Sequence, residues 1–219
     1  MEHRGTTIIE SLPVFPLPST ILFPRTVLPL HIFEPRYREM VSDVMDGDTN
    51  MAIGLIRPDS SNADEPELYN VAGAGTIIHA EKLEDGRYNI LVQGKHRVRL
   101  LSELPKTCNY RRFRAEILPT PTQKEIDAAA LQMARLQSCV LNLQNAVAET
   151  DAQLVEVLGA TSDPLELADI LAAAVISEPQ IQQQLLATTE LNQRFETLID
   201  ALAEVMVRHG SPPKEAMRN

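Results

Sequence analysis

Several features that would point to particular protein classes are missing from this sequence of 219 residues. Tryptophan is absent, and aromatic residues make up only 4% of the chain. Two cysteines, Cys108 and Cys139, are too few for a disulfide framework, which is typical of a reducing compartment. No apolar run approaches the roughly 20 residues of a membrane-spanning helix, and residues 1–11 do not resemble a signal peptide. We therefore expect a cytoplasmic protein that does not contact membranes.

An excess of positive charge is also missing. Residues 1–118 carry 14 Lys and Arg against 16 Asp and Glu, and residues 119–219 carry 6 against 14, so the net charge of −10 lies mostly in the second half. Proteins that bind nucleic acid neutralise phosphates with Lys and Arg. This charge balance argues against nucleic acid as a partner.

The two halves of the chain follow different hydrophobic periods. In residues 1–118, alternating apolar residues near 88–92 and 113–117 predict short strands, and Asp85-Gly86 predicts a type I′ hairpin turn. Apolar residues at helical spacing within residues 34–48 predict one helix, which ends at Gly47. We therefore predict an α+β fold, in which residues 1–118 form a β-rich domain, a small barrel or sandwich with one or two short helices.

Residues 119–219 are predicted to form a second domain, an α-helical bundle. Thr122 and Glu125 match a capping box, and the apolar stripe that follows predicts one helix of about 25 residues. Asp163 is the predicted cap of a further helix, and Gly159 is a predicted helix stop. The first stripe is Ile126, Ala129, Met133, Leu136, Val140, Leu143 and Val147, and the last helix has Leu191, Phe195, Leu198, Leu202 and Val205 on one face.

Five prolines fall between Pro13 and Pro29, threaded through apolar residues. Because each proline lacks a backbone donor, we expect edge segments and tight turns here and no central strand. Between the bends, seven apolar residues are expected to reach the core: Leu12, Val14, Leu17, Leu22, Val27, Leu30 and Ile32.

Glu34-Pro35 is expected to start the next helix, because Pro35 suits its first turn. Arg36 and Arg38 are expected to pair with Glu34 or with carboxylates on the sheet. A proline-rich turn can present side chains rigidly, so we choose Phe33, Glu34, Pro35 and Arg36 as the candidate peptide-binding residues. The competing interpretation places Phe33 in the core.

Catalytic signals are weak throughout. No nucleophile elbow occurs, and Gly73–Ile78 lacks the third glycine of a dinucleotide fingerprint. For His31 and His79 a structural role is favoured over a role as metal ligand, since neither belongs to a metal-binding spacing. His31 could also orient a neighbour by hydrogen bonding. We therefore predict no catalytic residue, no metal and no cofactor.

One basic cluster keeps an alternative open. Lys95, Arg97, Arg99, Arg111, Arg112 and Arg114 could line one sheet face. Together with Tyr110 and Phe113 they are compatible with RNA stacking. Strand alternation puts Phe113 on the opposite face from Arg112 and Arg114, which favours a charged outer face over an apolar inner one.

Three stretches resemble one family in the same order along the chain. They are LPVFPLPSTILFPRTVLPLHIFEPRYREMV, DGRYNILVQGKHRVRLL, and DPLELADILAAAVIS followed by QLLATTELNQRFETLIDAL. They resemble the N-terminal, substrate-binding domain of the ATP-dependent Lon proteases (the protease La family) and its stand-alone relatives. The resemblance implies a PUA-like barrel followed by a helical bundle.

The resemblance implies binding to exposed apolar or unfolded protein segments, and the catalytic serine and lysine of the proteases have no counterpart here. The main hypothesis is therefore a non-catalytic recognition module or adaptor, with a protease or another protein complex as its candidate partner. An RNA-binding protein and a scaffold in a larger assembly are the alternatives. A homodimer through the 126–147 stripe is less favoured than packing of that stripe within its own bundle.

Overall fold

The computed structural model describes residues 7–60, 65–147 and 163–210. The chain divides into two compact units, Met1–Thr120 and Pro121–Asn219. The predicted α+β class is confirmed, because a six-stranded sheet and several helices are present. The division into two domains stays a prediction, since compactness alone does not show that either unit folds independently.

The described part of the first unit contains six strands and one α-helix. They are β1 (Ile8–Leu17), β2 (Val27–Ile32), α1 (Pro35–Asp46), β3 (Asn50–Leu55), β4 (Val71–Lys82), β5 (Tyr88–Glu103) and β6 (Arg111–Ile117). The sheet order is β2-β5-β4-β3-β1-β6, and only β1 and β3 are parallel. Strand β6 also pairs with the second half of β5. Strands β5, β4, β3, β1 and β6 therefore close a ring, and β2 joins the first half of β5.

The proline-rich strand β1 is paired on both sides, so the expectation that no central strand runs through this segment is wrong. The two pairings are staggered along the strand. Pro13 lies opposite Arg112 of β6, whereas pairing with β3 begins only at Val14. Pro16 lies opposite Gly54 of β3, beyond the last residue paired with β6. Each proline thus has a paired neighbour on one side only, where a missing N–H can be tolerated.

Helix α1 begins and ends as the sequence predicts. Pro35 occupies its first turn, and the Gly47 N–H donates to the Val44 carbonyl at 3.3 Å. Its buried face packs into one hydrophobic cluster with β1, β2, β3, β4 and β5. The buried residues of this face are Tyr37, Met40, Val41 and Val44.

Most of the expected core residues of the opening stretch are confirmed. Leu12, Val14, Leu22 and Ile32 are buried, and Leu17 and Leu30 are partly buried against the core. Val27 is the exception, because its side chain is 49% exposed. It follows the outward alternation of β2, in which Leu28, Leu30 and Ile32 take the inward positions.

The β4–β5 turn needs the predicted glycine but is of another type. Gly86 has φ of +82°, whereas Asp85 does not have the positive φ that a type I′ turn requires at both central residues. The Gly86 N–H donates to the Leu83 carbonyl at 2.9 Å, and the Leu83 N–H donates to the Arg87 carbonyl at 2.8 Å. These bonds describe a three-residue loop closed by a left-handed glycine.

Three glycines of β4 and β5 allow other backbone segments to approach closely, and two of them face the buried segment at Leu22 and Phe23, which we call the crossing segment. Leu22 and Phe23 are both 0% exposed. A Cβ atom on Gly73 would lie 1.8 Å from the Leu22 carbonyl oxygen, and one on Gly94 would lie 2.0 Å from the Phe23 carbonyl oxygen. A Cβ atom on Gly75 would meet the Gln93 carbonyl oxygen at 2.3 Å. Close backbone packing therefore explains the glycines of Gly73–Ile78 without a nucleotide.

Five helices are described in the second unit: α2 (Gln123–Ala128), α3 (Ala130–Val147), α4 (Pro164–Ala174), α5 (Pro179–Ala187) and α6 (Leu191–Gly210). The predicted caps are confirmed: Thr122 and Glu125 form a capping box, and Asp163 accepts from the Leu165 N–H at 2.8 Å. The predicted single helix is divided at Ala129 into α2 and α3.

The predicted apolar faces of the second unit are largely buried. Helix α3 packs against α6, which also contacts α4 and α5. The buried residues of these faces are Ala129, Leu136, Val140, Leu191, Phe195, Leu198 and Leu202. Leu143, Val147 and Val205 lie outside the described side chains, and Gly159 lies outside the described residues.

Candidate functional site

A groove of about 530 Å³ lies in the first unit, where four separate stretches of chain meet. They are the end of β1 (15–18), the end of β2 with the start of α1 (30–37), Ile56 with Glu65 and Pro66, and the β5–β6 connection with the first residue of β6 (106–111). These stretches are far apart in the sequence, and the closure of the sheet brings them together.

The groove is lined by aromatic and aliphatic side chains. The Phe15 and Tyr37 rings are 4.3 Å apart between centroids and tilted by 60°, an arrangement favourable for aromatic pairs. Both belong to the buried core, at 8% and 6% exposure, so they form a firm base that we call the Phe15–Tyr37 floor. Leu17, Leu30 and Tyr110 add further apolar surface.

The charged side chains of the groove rim are paired with one another. Arg36 contacts Glu34 at 2.8 Å, and Lys106 pairs with Glu65. Arg111 donates two hydrogen bonds of 2.7 Å to the Glu103 carboxylate and a third of 2.7 Å to the Pro66 carbonyl. Pairing of opposite charges leaves the rim close to neutral, although it carries many charged groups.

Two tyrosines that line the groove keep their phenol protons. Burial, the largest cause, raises the pKa of Tyr37, and the nearby Arg36 partly offsets this effect. Burial also raises the pKa of Tyr110, and its 2.9 Å hydrogen bond to the Asp43 carboxylate raises it further. Asp43 of α1 thus fixes the position of the Tyr110 hydroxyl at the groove.

The predicted site residues lie at or beside this groove. Phe33, Glu34 and Arg36 line it, and Phe33 is 61% exposed, so it does not belong to the core. Pro35 lies at the first turn of α1 and lines a neighbouring shallow depression with Glu39 and Asn109. Their role in binding remains a prediction, because position alone does not test it.

Sequence reasoning missed most of the groove. Phe15, Tyr37, Tyr110 and Arg111 all line it. One usable signal is the scarcity of aromatic residues, since two of the five Phe and two of the four Tyr residues converge here. From the sequence alone, Tyr37 belongs only to the predicted helix within residues 34–48, and Arg111 only to the basic cluster.

His31 and His79 are the two histidines that the sequence analysis considered as ligands, and both are described by the structure. His31 is exposed, with Nδ1 2.8 Å from Asn89 Oδ1 and Nε2 3.2 Å from an Arg87 guanidinium nitrogen, so it does orient neighbours. His79 is also exposed, at an irregularity in β4. Within the described ranges, no group of three His, Cys, Asp or Glu side chains is placed to hold a metal ion.

Acidic partners occupy much of the basic cluster. Arg99 contacts Glu116 at 2.8 Å, and Arg114 contacts Glu10 at 3.0 Å. Arg111 is held by Glu103, as described above. Such pairing reduces the positive field that a phosphate backbone would need.

In the part of the chain that the structure describes, no helix is both long and apolar enough to cross a membrane.

Comparison with known proteins gives a consistent match. The family model described as "ATP-dependent protease La (LON) substrate-binding domain" matches residues 11–204. Lon protease of Anaeromyxobacter dehalogenans is 27% identical over 197 residues, which are 87% of this chain and 23% of that protein. Lon protease of Escherichia coli is 27% identical over 193 residues, or 86% and 24%. The chain thus spans about a quarter of the length of these relatives.

Solved structures agree with this match in fold. The N-terminal domain of Mycobacterium avium complex Lon protease has a TM-score of 0.68 at 19% identity, covering 89% of this chain and 99% of that one. A Lon N-terminal domain protein from Xanthomonas campestris has a TM-score of 0.59 at 18% identity, covering 88% and 98%. The family model covers most of the chain, and the chain therefore belongs to the LON substrate-binding domain family.

Proposed function

We propose that this protein is a non-catalytic recognition module that binds exposed apolar or unfolded polypeptide segments in the groove of the first unit. One observation carries the proposal: a half-open groove with an aromatic floor lies beside Phe33, a large apolar side chain that is 61% exposed. Membership of a substrate-binding domain family supports the same function.

The chemistry of the groove suits apolar segments better than charged ones. An apolar side chain that enters it leaves water and contacts the Phe15–Tyr37 floor, gaining about 25 cal/mol for each Å² of apolar surface buried. The paired rim charges, Arg36 with Glu34 and Lys106 with Glu65, offer no strong net charge to a ligand. Phe33 can close over a bound side chain as an aromatic contact at the edge.

Several finer features belong to the same proposal. We interpret the closed ring of five strands as a PUA-like barrel and the five described helices of the second unit as part of a bundle, in line with the predicted domains 1–118 and 119–219. Because the matched region of the relatives is their substrate-binding domain, we propose no enzymatic activity for this chain. An adaptor that acts in the cytoplasm beside a protease or another complex fits this role.

Fluorescence anisotropy with a labelled peptide tests the proposal. A suitable probe is the nonapeptide TTVTFTVTT, in which Val, Phe and Val alternate with polar residues. We expect saturable binding, which unlabelled, permanently unfolded carboxymethylated lactalbumin competes away. Phe33→Ala should weaken binding about tenfold, as expected when one central aromatic contact is lost.

Ile78→Ala is the matched control, because Ile78 is 50% exposed in the same unit and does not line the groove. It should leave the affinity within about twofold of the unmodified protein. Equal losses in both variants, or no binding by the unmodified protein to either probe, would show that the groove is not a polypeptide-binding site.

A further inference from the structure

Within the part of the chain that the structure describes, β2 pairs along one edge only, and its other edge is free. Pro29 lies opposite Leu91 of β5, and a proline has no N–H to place in a hydrogen-bonded pair. The Thr26 carbonyl accepts from the Gly94 N–H at 2.9 Å and therefore faces β5, whereas the Thr26 N–H donates to the Phe23 carbonyl at 3.3 Å. By strand alternation, the backbone N–H and carbonyl groups of Leu28 and Leu30 also point toward β5.

The alternate residues of β2 turn their backbone groups away from β5. Val27 and His31 each offer an N–H and a carbonyl, and Pro29 offers a carbonyl. Among the described strands, β2 pairs with β5 alone. A partner strand would therefore find two donors about 13 Å apart, with three acceptors along the same edge.

This free edge adjoins the groove. Leu30 and His31 line the groove together with Phe33, as do residues 15–18 from the end of β1. The Tyr37 hydroxyl makes no hydrogen bond to any described residue, although Tyr37 is 6% exposed and lines the same groove. A hydroxyl that lines an open groove can donate a hydrogen bond to a ligand carbonyl.

We propose that an extended polypeptide segment adds to the free edge of β2 as a further strand, with one apolar side chain on the Phe15–Tyr37 floor. This inference rests on the proposed function and specifies how the peptide is held: the β2 backbone supplies affinity, and the floor selects a side chain. A peptide without proline suits this edge better than a second copy of β2. A second copy would bring its own Pro29 and lose another donor.

Backbone methylation of the peptide tests the mode of binding. In an added strand, alternate peptide N–H groups point toward β2, while the others point away. We expect N-methylation at successive central positions of TTVTFTVTT to have alternating effects. Methylation at every second position should weaken binding about tenfold, and methylation at the positions between them should weaken it less than about twofold. Equal tolerance at every position, or losses without a period of two, would overturn strand addition.

Paired variants test the protein edge. His31→Pro removes one edge donor, whereas His31→Ala removes the side chain and keeps the N–H. We expect His31→Pro to bind the peptide at least about fivefold more weakly than His31→Ala. Val27→Pro and Val27→Ala give a second pair. Far-UV circular dichroism checks that each variant is folded, and equal binding within both folded pairs would overturn the proposal.

Hydrogen exchange on the unmodified protein does not depend on these variants folding. Bound peptide should slow exchange of the Val27 and His31 amides, and unchanged exchange at saturation would refute the proposal. If Phe33→Ala weakens binding but methylation has no parity effect, the proposed function stands and strand addition falls. If the protein is a dimer that His31→Pro makes monomeric, with peptide affinity unchanged, the edge binds a second copy and the proposal is wrong.

Discussion

Replacing Gly73 by alanine should destabilise the first unit severely. The added Cβ would lie 1.8 Å from the Leu22 carbonyl oxygen and 3.0 Å from the Leu22 Cβ. The oxygen belongs to backbone, so no flexible side chain can yield. To restore even a 3.0 Å contact, the crossing segment must move by about 1.2 Å, within an interior that has almost no free space.

The cost follows from what moves with that segment. Overpacking of a core typically costs about 1–3 kcal/mol. Leu22 and Phe23 are fully buried, and each loses part of the roughly 1.5–3 kcal/mol that its burial contributes. We expect the free energy of unfolding to fall by about 3–5 kcal/mol. With a urea m value of about 2 kcal/mol per molar, the unfolding midpoint should fall by about 2 M.

Tyrosine fluorescence is the appropriate measurement. The protein has no Trp, and all four Tyr residues lie in the first unit, so this signal reports unfolding of that unit alone. Gly54→Ala is the matched control in the neighbouring strand β3. Its Cβ would meet only side-chain atoms of Leu68 and Val14, at 3.0 and 3.1 Å, and the cost should be about 1 kcal/mol. Equal midpoints for the two variants would refute the reasoning.

Two further predictions concern a buried phenol and a helix cap. Because burial and the bond to Asp43 raise the pKa of Tyr110 above its ordinary value of 10.0, the unfolded phenol ionises first, and the free energy of unfolding should fall as the pH rises above about 10. Tyr110→Phe should cost about 1–2 kcal/mol at neutral pH and reduce that alkaline slope in urea titrations; an unchanged slope would contradict this. Asp163→Ala removes the acceptor for the Leu165 N–H and should cost about 1 kcal/mol. Thermal unfolding followed by circular dichroism would measure this loss, and an unchanged unfolding midpoint would contradict the prediction.

Local rules of sequence predicted much of the secondary structure. The caps at Thr122 and Asp163 and the stop at Gly47 depend on neighbouring residues alone, and all three are present. The buried face of α1 follows directly from its 3.6-residue period. Such features need no knowledge of the rest of the chain.

Features that depend on distant segments were not predictable in this way. Proline rules predict an edge at Pro13 and Pro16, and this prediction is wrong. The reason is the staggered pairing of β3 and β6 with β1, which is a property of the closed sheet and cannot be read from the local sequence. The groove likewise joins residues as far apart as Phe15 and Arg111. The turn chemistry around Phe33 located one part of it, and the sheet topology supplies the floor and the opposite rim.

The pairing of β1 with β6 has a consequence for synthesis of the protein on the ribosome. Strand β1 ends at Leu17 and β6 ends at Ile117, so about 5–20 s of translation separate the two partners at ordinary elongation rates. During that time Leu12, Val14 and Phe15 lack their final neighbours. Pro13 and Pro16 remove two backbone N–H groups from the nascent segment, and this protects it from pairing with other chains until β6 has been synthesised.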